Sequence, residues 1–155
     1  MATRLRELPL PTYEGDAAGW AIAQAAALRD QRIDLLDWEN LAEEIADVAG
    51  RERDKMESAL RLVLSHLLKW EYQPMRRSRS WFNTVNEQRR RVTRQLRENP
   101  SLRHGLPKSI LESYADAKGE ASVDMDAHPR IFPAECPYSF DEIMTRPIEW
   151  DGELA

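Results

Sequence analysis

Residues 38–72 read WENLAEEIADVAGRERDKMESALRLVLSHLLKWEY, and the period of their apolar positions decides the fold. Trp38, Leu41, Ile45, Val48 and Ala49 recur at three-to-four spacing while Glu39, Glu43 and Asp47 fall on the far side, which is the pattern of an amphipathic helix. Met56, Ala59, Leu60, Val63, Leu64, Leu67 and Leu68 continue it as a broader apolar face, suited to the centre of a bundle. Gly50 lies between the two halves, but a glycine inside a helix costs only ~1 kcal/mol, and Asp47–Arg51 and Glu57–Arg61 are supporting i,i+4 pairs. The spacing therefore predicts one continuous or gently bent helix to about Tyr72.

The neighbouring segments repeat the helical pattern. No proline interrupts residues 12–73, and Ala and Leu together outnumber Val, Ile and Thr, a balance that favours helix over strand. Asp16 is a good N-cap for a first helix through Trp20, Ala23, Ala27 and Leu28 to about Asp30, and Asp34 or Asp37 can cap the next. Pro74 ends the long helix, and Ser78 or Ser80 can cap another to about Glu98. In it, Trp81, Phe82, Val85, Val92 and Leu96 share one face, with Arg90, Arg94 and Arg97 opposite and Arg91 at the flank. Asn99-Pro100 starts a short helical turn, Pro107 opens a helix to about Ala121 using Ile110, Leu111, Tyr114 and Ala117, and Ser139 with Glu142 forms a capping box for FDEIMT. Between these last two, HPRIFPAECPYS is proline-rich and is expected to run as an extended strap.

The expected fold is an all-α single-domain bundle of four to six helices: a loose arm over residues 1–12, the bundle over 13–121, and the strap with a short helix over 122–155. Its core is expected to draw on Trp20, Leu28, Trp38, Leu41, Ile45, Leu60, Val63, Leu64, Leu67, Trp70, Trp81, Phe82, Val85, Val92 and Leu96. A chain of 155 residues buries roughly 68–70% of its unfolded surface, enough for a core without disulfides or structural metal. Neither a membrane span nor a signal-peptide core is legible, and the single Cys136 forms no internal disulfide; a cytoplasmic protein is expected.

The net charge of -5 is a cancellation. Residues 1–75 carry 9 basic and 14 acidic groups, residues 76–108 carry 10 and 2, and residues 109–155 carry 3 and 11. Arg76, Arg77, Arg79, Arg90, Arg91, Arg94 and Arg97 therefore make a candidate binding face. Either the acidic C-terminal segment answers these arginines, or they are left for a partner. Arg89 falls within the apolar stripe of its helix and needs a carboxylate or carbonyls; Glu44 or Asp47 would serve.

Several strings together point to a family. LAEEIADV (41–48), HLLKWEYQP (66–74), RSRSW (77–81), EQRRR (87–91), NPSL (99–102) and FPAECPYS (132–139) resemble, in order and spacing over residues 13–150, the bacterial domain-of-unknown-function family twenty-nine. The resemblance implies a small, mostly helical protein without an assigned activity, and it transfers no catalytic residue.

Motifs for chemistry are sparse. The six glycines build no phosphate loop or dinucleotide fingerprint, and no HExxH, CxxC or Glu-x-x-His pair occurs, so no cofactor and no metal is expected. Cys136, between Glu135 and Pro137, is expected to have a raised pKa and a structural role. His66 reads as a core-edge imidazole bonded to a neighbouring carboxylate or carbonyl; the functional alternative is a metal ligand or acid/base beside Glu43, Glu44 or Asp47. The sequence thus favours a non-enzymatic protein-interaction or regulatory module with another protein as partner. Nucleic-acid binding through the basic helix 78–98 is the second reading, and an enzyme or metal site around His66 the third. Oligomeric state is left open.

Overall fold

The computed structural model describes residues 10–150, so residues 1–9 of the expected arm lie outside the described residues. Five α-helices follow in chain order: α1 Ala17–Arg29, α2 Trp38–Tyr72, α3 Arg79–Glu98, α4 Leu106–Met125 and α5 Phe140–Thr145. Short 3-10 turns at Ile33–Leu35, Pro74–Arg76, Pro100–Gly105 and Pro129–Ile131 join them, and no strand occurs among the described residues. The all-α reading and the unbroken α2 are both borne out. The start signals also fall where expected: Asp16 Oδ1 accepts from the Gly19 amide at 2.9 Å, Ser78 from Trp81, and Ser139 with Glu142 closes a complete capping box. α4 runs four residues beyond its expected end and stops where Asp126 takes a left-handed conformation, φ 50°, with the Ala127 amide bonded back to the Ser122 carbonyl.

The chain divides into two compact units between Ala49 and Gly50. The first is held largely by polar contacts. Trp20 Nε1 donates to Asp37 Oδ2 at 3.0 Å, Gln24 bridges the Leu35 carbonyl and the Asp37 amide, and the Tyr13 hydroxyl donates to Glu44 at 2.8 Å. In α1 only Trp20, Gln24 and Ala27 are buried. Three residues assigned to the core are corrected here: Leu28, Trp38 and Ile45 are 51%, 63% and 68% exposed. Periodicity identifies an apolar stripe but not what covers it, and a single 13-residue helix anchored through Tyr13, Trp20 and Gln24 leaves this one open.

The second unit holds the hydrophobic core. Met56, Leu60, Val63, Leu64, Leu67 and Leu68 of α2 meet Val85, Val92 and Leu96 of α3, Tyr114, Ala117 and Ala121 of α4, and Ile143 of α5. Trp81 and Phe82 are half-buried against this cluster. Along α4 the buried positions Ser109, Ser113, Ala117 and Ala121 step by four, so that small side chains face α2; Ser109 donates to the Glu57 carboxylate at 2.7 Å and Ser113 to the Glu57 carbonyl at 3.2 Å. Leu111, expected on that face, is exposed. The proline-rich segment is fixed on α4 by the Tyr114 hydroxyl, which donates to the Pro133 carbonyl at 2.8 Å, with Phe132 and Tyr138 buried on either side.

Candidate functional site

The strongest surface feature is built on α3, between its outward side and the end of α5. Arg89 organises it. Nε donates to the Ile143 carbonyl and Nη2 to the Arg146 carbonyl, both at 2.8 Å. These oxygens belong to the last turn and C-cap of α5, where carbonyls lack intrahelical donors and the helix dipole is negative, so the guanidinium caps that helix end. This corrects the expected ion pair: Arg89 is bonded to carbonyls rather than to Glu44 or Asp47. Backbone acceptors cannot be read as residue types, which is why the sequence pointed to carboxylates instead.

With Arg89 as its inner wall, an open groove of about 780 Å³ is lined by Asn86, Arg90, Thr93, Arg94, Arg97, Met144 and Thr145. A second hollow of about 400 Å³, formed by Lys55, Arg91, Gln95 and Glu98, shares Arg94 with it. Sequence reasoning missed Asn86, Thr93, Met144 and Thr145. The signal available for α5 was Arg89 itself, whose place in the apolar stripe required acceptors from another element.

The seven candidate arginines do not act alike. Arg77 is engaged internally: Nε donates to the Trp70 carbonyl at 2.8 Å and the guanidinium lies 5.1 Å from the Trp70 ring. Arg91 pairs with Glu87 one turn earlier at 2.6 Å, and Arg97 has Glu98 at 3.9 Å. Arg76 and Arg79 are exposed but do not line the groove. Arg90 and Arg94 line it, are exposed, and have no carboxylate within 4 Å among the described residues. Within the acidic C-terminal segment Glu112 pairs with Lys108, Glu120 with Arg61, and Asp124 with Lys69, and no ion pair joins a described carboxylate of that segment to an arginine of α3. Among the described residues, then, that segment does not answer the α3 arginines.

His66 occupies a different place. Its Nδ1 lies 2.9 Å from the Leu62 carbonyl, which fixes that nitrogen as the donor, and its ring stands edge-on to Trp81 at 6.4 Å. Glu43, Glu44 and Asp47 are on the same helix as His66, and Glu44 accepts from Tyr13. The groups that share its shallow pocket are Ser65, Lys69, Glu120 and Asp124. The core-edge reading with a carbonyl partner is the one this geometry supports. Lys69 is the charged residue that the sequence reading passed over: its side chain is 6% exposed, with Nζ 2.7 Å from Asp124 Oδ2 and 5.2 Å from the centre of the Trp81 ring. A lone cation inside LLKWEY was the available signal.

Burial, and then Lys69, lowers the His66 pKa below its ordinary 6.5. The folded state therefore favours the neutral imidazole. Its contribution to stability is complete above pH 6.5 and is lost as the pH falls below that value, because the unfolded chain then binds the proton first. A thermal midpoint that declines on acidification through this window, and declines less in His66→Gln, is the expected result. An identical decline in both proteins would remove His66 as the cause.

Cys136 matches its expectation in direction but not in cause. Its thiol pKa is raised chiefly by burial, with the charge of Glu142 the least contributor, and Sγ sits 3.5 Å from the Tyr138 carbonyl. Among the described residues no group of three or more His, Cys, Asp or Glu is placed to hold a metal ion, and no helix is long and apolar enough to cross a membrane.

Compared with known proteins, residues 12–148 match the family model described as Domain of unknown function DUF29. No curated protein and no solved structure matches the chain.

Proposed function

The chain belongs to the DUF29 family, which carries no assigned activity, and from its own surface chemistry we propose that it is a protein-interaction module whose arginine-lined groove holds an acidic partner. The observation that carries this reading is the state of Arg90 and Arg94: exposed, side by side on one face of α3, and without a carboxylate within 4 Å among the described residues. A guanidinium presents a rigid fork of donors that matches a carboxylate bidentately, so one turn of helix offers two such sites. Arg89, anchored to α5, keeps Met144 and Thr145 at the other wall, which gives a partner an apolar and a hydroxyl contact beside the charges.

Rim-exposed ion pairs contribute about 0.2–1 kcal/mol each, and the resulting affinity is modest and falls as salt rises. Reversing Arg90, Arg94 and Arg97 to Glu removes three attractions and adds repulsion, together about 3 kcal/mol or roughly a hundredfold. The test is fluorescence anisotropy with a labelled glutamate-rich peptide, comparing the parent with the triple variant at equal salt. Loss of binding at unchanged thermal midpoint supports the reading; equal affinity for both proteins contradicts it.

The same charges would attract phosphates, and single-stranded DNA and RNA oligonucleotides belong in the same titration. Nucleic-acid binding gains most from bases stacked on aromatic rings, yet Trp81 and Phe82, the aromatic residues of α3, are packed against the core. Tighter binding of an oligonucleotide than of the acidic peptide would move the assignment to nucleic acid.

A further inference from the structure

The first unit carries a surface of charge opposite to that of the arginine groove. Taking 100° per residue around α2, Ala42, Ala46 and Ala49 make a low shoulder, all three exposed. Trp38 and Ile45 stand along one side of it, and Glu39 and Glu43 along the other. Glu39 and Glu43 are exposed and have no cation within 4 Å among the described residues. Residues 10–49 hold nine carboxylates and two arginines, a net charge of -7, against 10 basic and two acidic groups over residues 76–108.

We propose that the acidic partner of the arginine groove is the α2 shoulder of a second copy of this chain. The identification rests on the reading of the groove given above and adds its occupant. Three features argue for it. Small side chains along the shoulder let another helix approach closely, as alanine stripes do at helix contacts. Glu39 and Glu43 are one turn apart on α2, as Arg90 and Arg94 are on α3, so both pairs of charges meet in one register. Trp38, at 63% exposure, is an aromatic side chain against which a guanidinium can stack, which gives the contact an anchor that is not an ion pair. Both surfaces are on one chain and are therefore always present at equal concentration.

Sedimentation velocity over a concentration series of the full chain tests this. The parent protein is expected to self-associate, and less so as salt is raised. Glu39→Lys with Glu43→Lys is expected to weaken the association about tenfold or more, and Arg90→Glu with Arg94→Glu to do the same. Mixing these two variants then restores association, because each supplies the charge the other now requires. Trp38→Ala is expected to weaken association at unchanged thermal midpoint. A chain that stays monomeric at every concentration overturns this inference, and if it still binds the glutamate-rich peptide, the function proposed for the groove stands without it. Association lost in Trp38→Ala but indifferent to both charge reversals would mean pairing of apolar stripes and would equally overturn it. Association of the parent with no recovery on mixing does so too.

Discussion

Replacing Arg89 with Met is expected to lower the stability of the protein by about 2 kcal/mol, the cost of removing charged donors from two carbonyls at a helix end. Methionine keeps an unbranched apolar stem out to the position of Nε, so the loss reads chiefly the two hydrogen bonds. α5 has only six residues, too few to hold together alone, and Ile143 is its one fully buried side chain. Besides a lower midpoint in chemical denaturation, faster hydrogen exchange at the end of α5 is expected. Arg89→Lys does not rescue, because one ammonium cannot reproduce the fork that spans Nε and Nη2. Arg90→Met, one residue further on the open side, is expected to change stability by no more than about 0.5 kcal/mol. Equal stability of Arg89→Met and the parent would show that Arg89 does not secure α5, and that the groove wall has another support.

Leu64→Ala is expected to cost about 3 kcal/mol, in the range found for leucines deleted from close-packed interiors. Leu64 has no exposed surface and packs where α2 meets the rest of the second unit. The informative comparison is Ile45→Ala on the same helix. Ile45 repeats the same apolar spacing but is 68% exposed, and its truncation in dilute protein is expected to fall within about 0.5 kcal/mol. Urea denaturation of the two variants separates them. Comparable losses would mean that the first part of α2 is covered after all.

That comparison also marks how much the sequence could tell. The helix boundaries were legible because their signals are local: Asp16, Ser78 and Ser139 accept from amides three residues on, and Gly50 costs too little to break a 35-residue helix. Whether a stripe is covered depends on elements remote in sequence, and the spacing of Trp38, Leu41, Ile45 and Val48 is the same for a core face and an open one. Leu60, Val63 and Leu64 entered the core as expected; Trp38 and Ile45 did not. The candidate site was legible in part. Arg90, Arg94 and Arg97 were placed correctly on the outward side by their wheel positions, whereas Arg77 turned back to Trp70 and Arg89 met carbonyls, contacts that depend on chain geometry. The cancellation of charge between segments was visible from the outset. Which carboxylates are engaged was not, since the pairs Glu120–Arg61 and Asp124–Lys69 join residues more than fifty positions apart.

The claim on which the function rests is that the arginine groove between α3 and α5 receives acidic groups. Nuclear magnetic resonance of the labelled full chain, titrated with the glutamate-rich peptide, locates the contact directly. The account predicts shifts concentrated at Asn86, Arg90, Thr93, Arg94 and Arg97 and extending to Met144 and Thr145, with the Arg89 side-chain resonance retained in its bonds to α5. Shifts confined to other helices, or none at low salt, would contradict it.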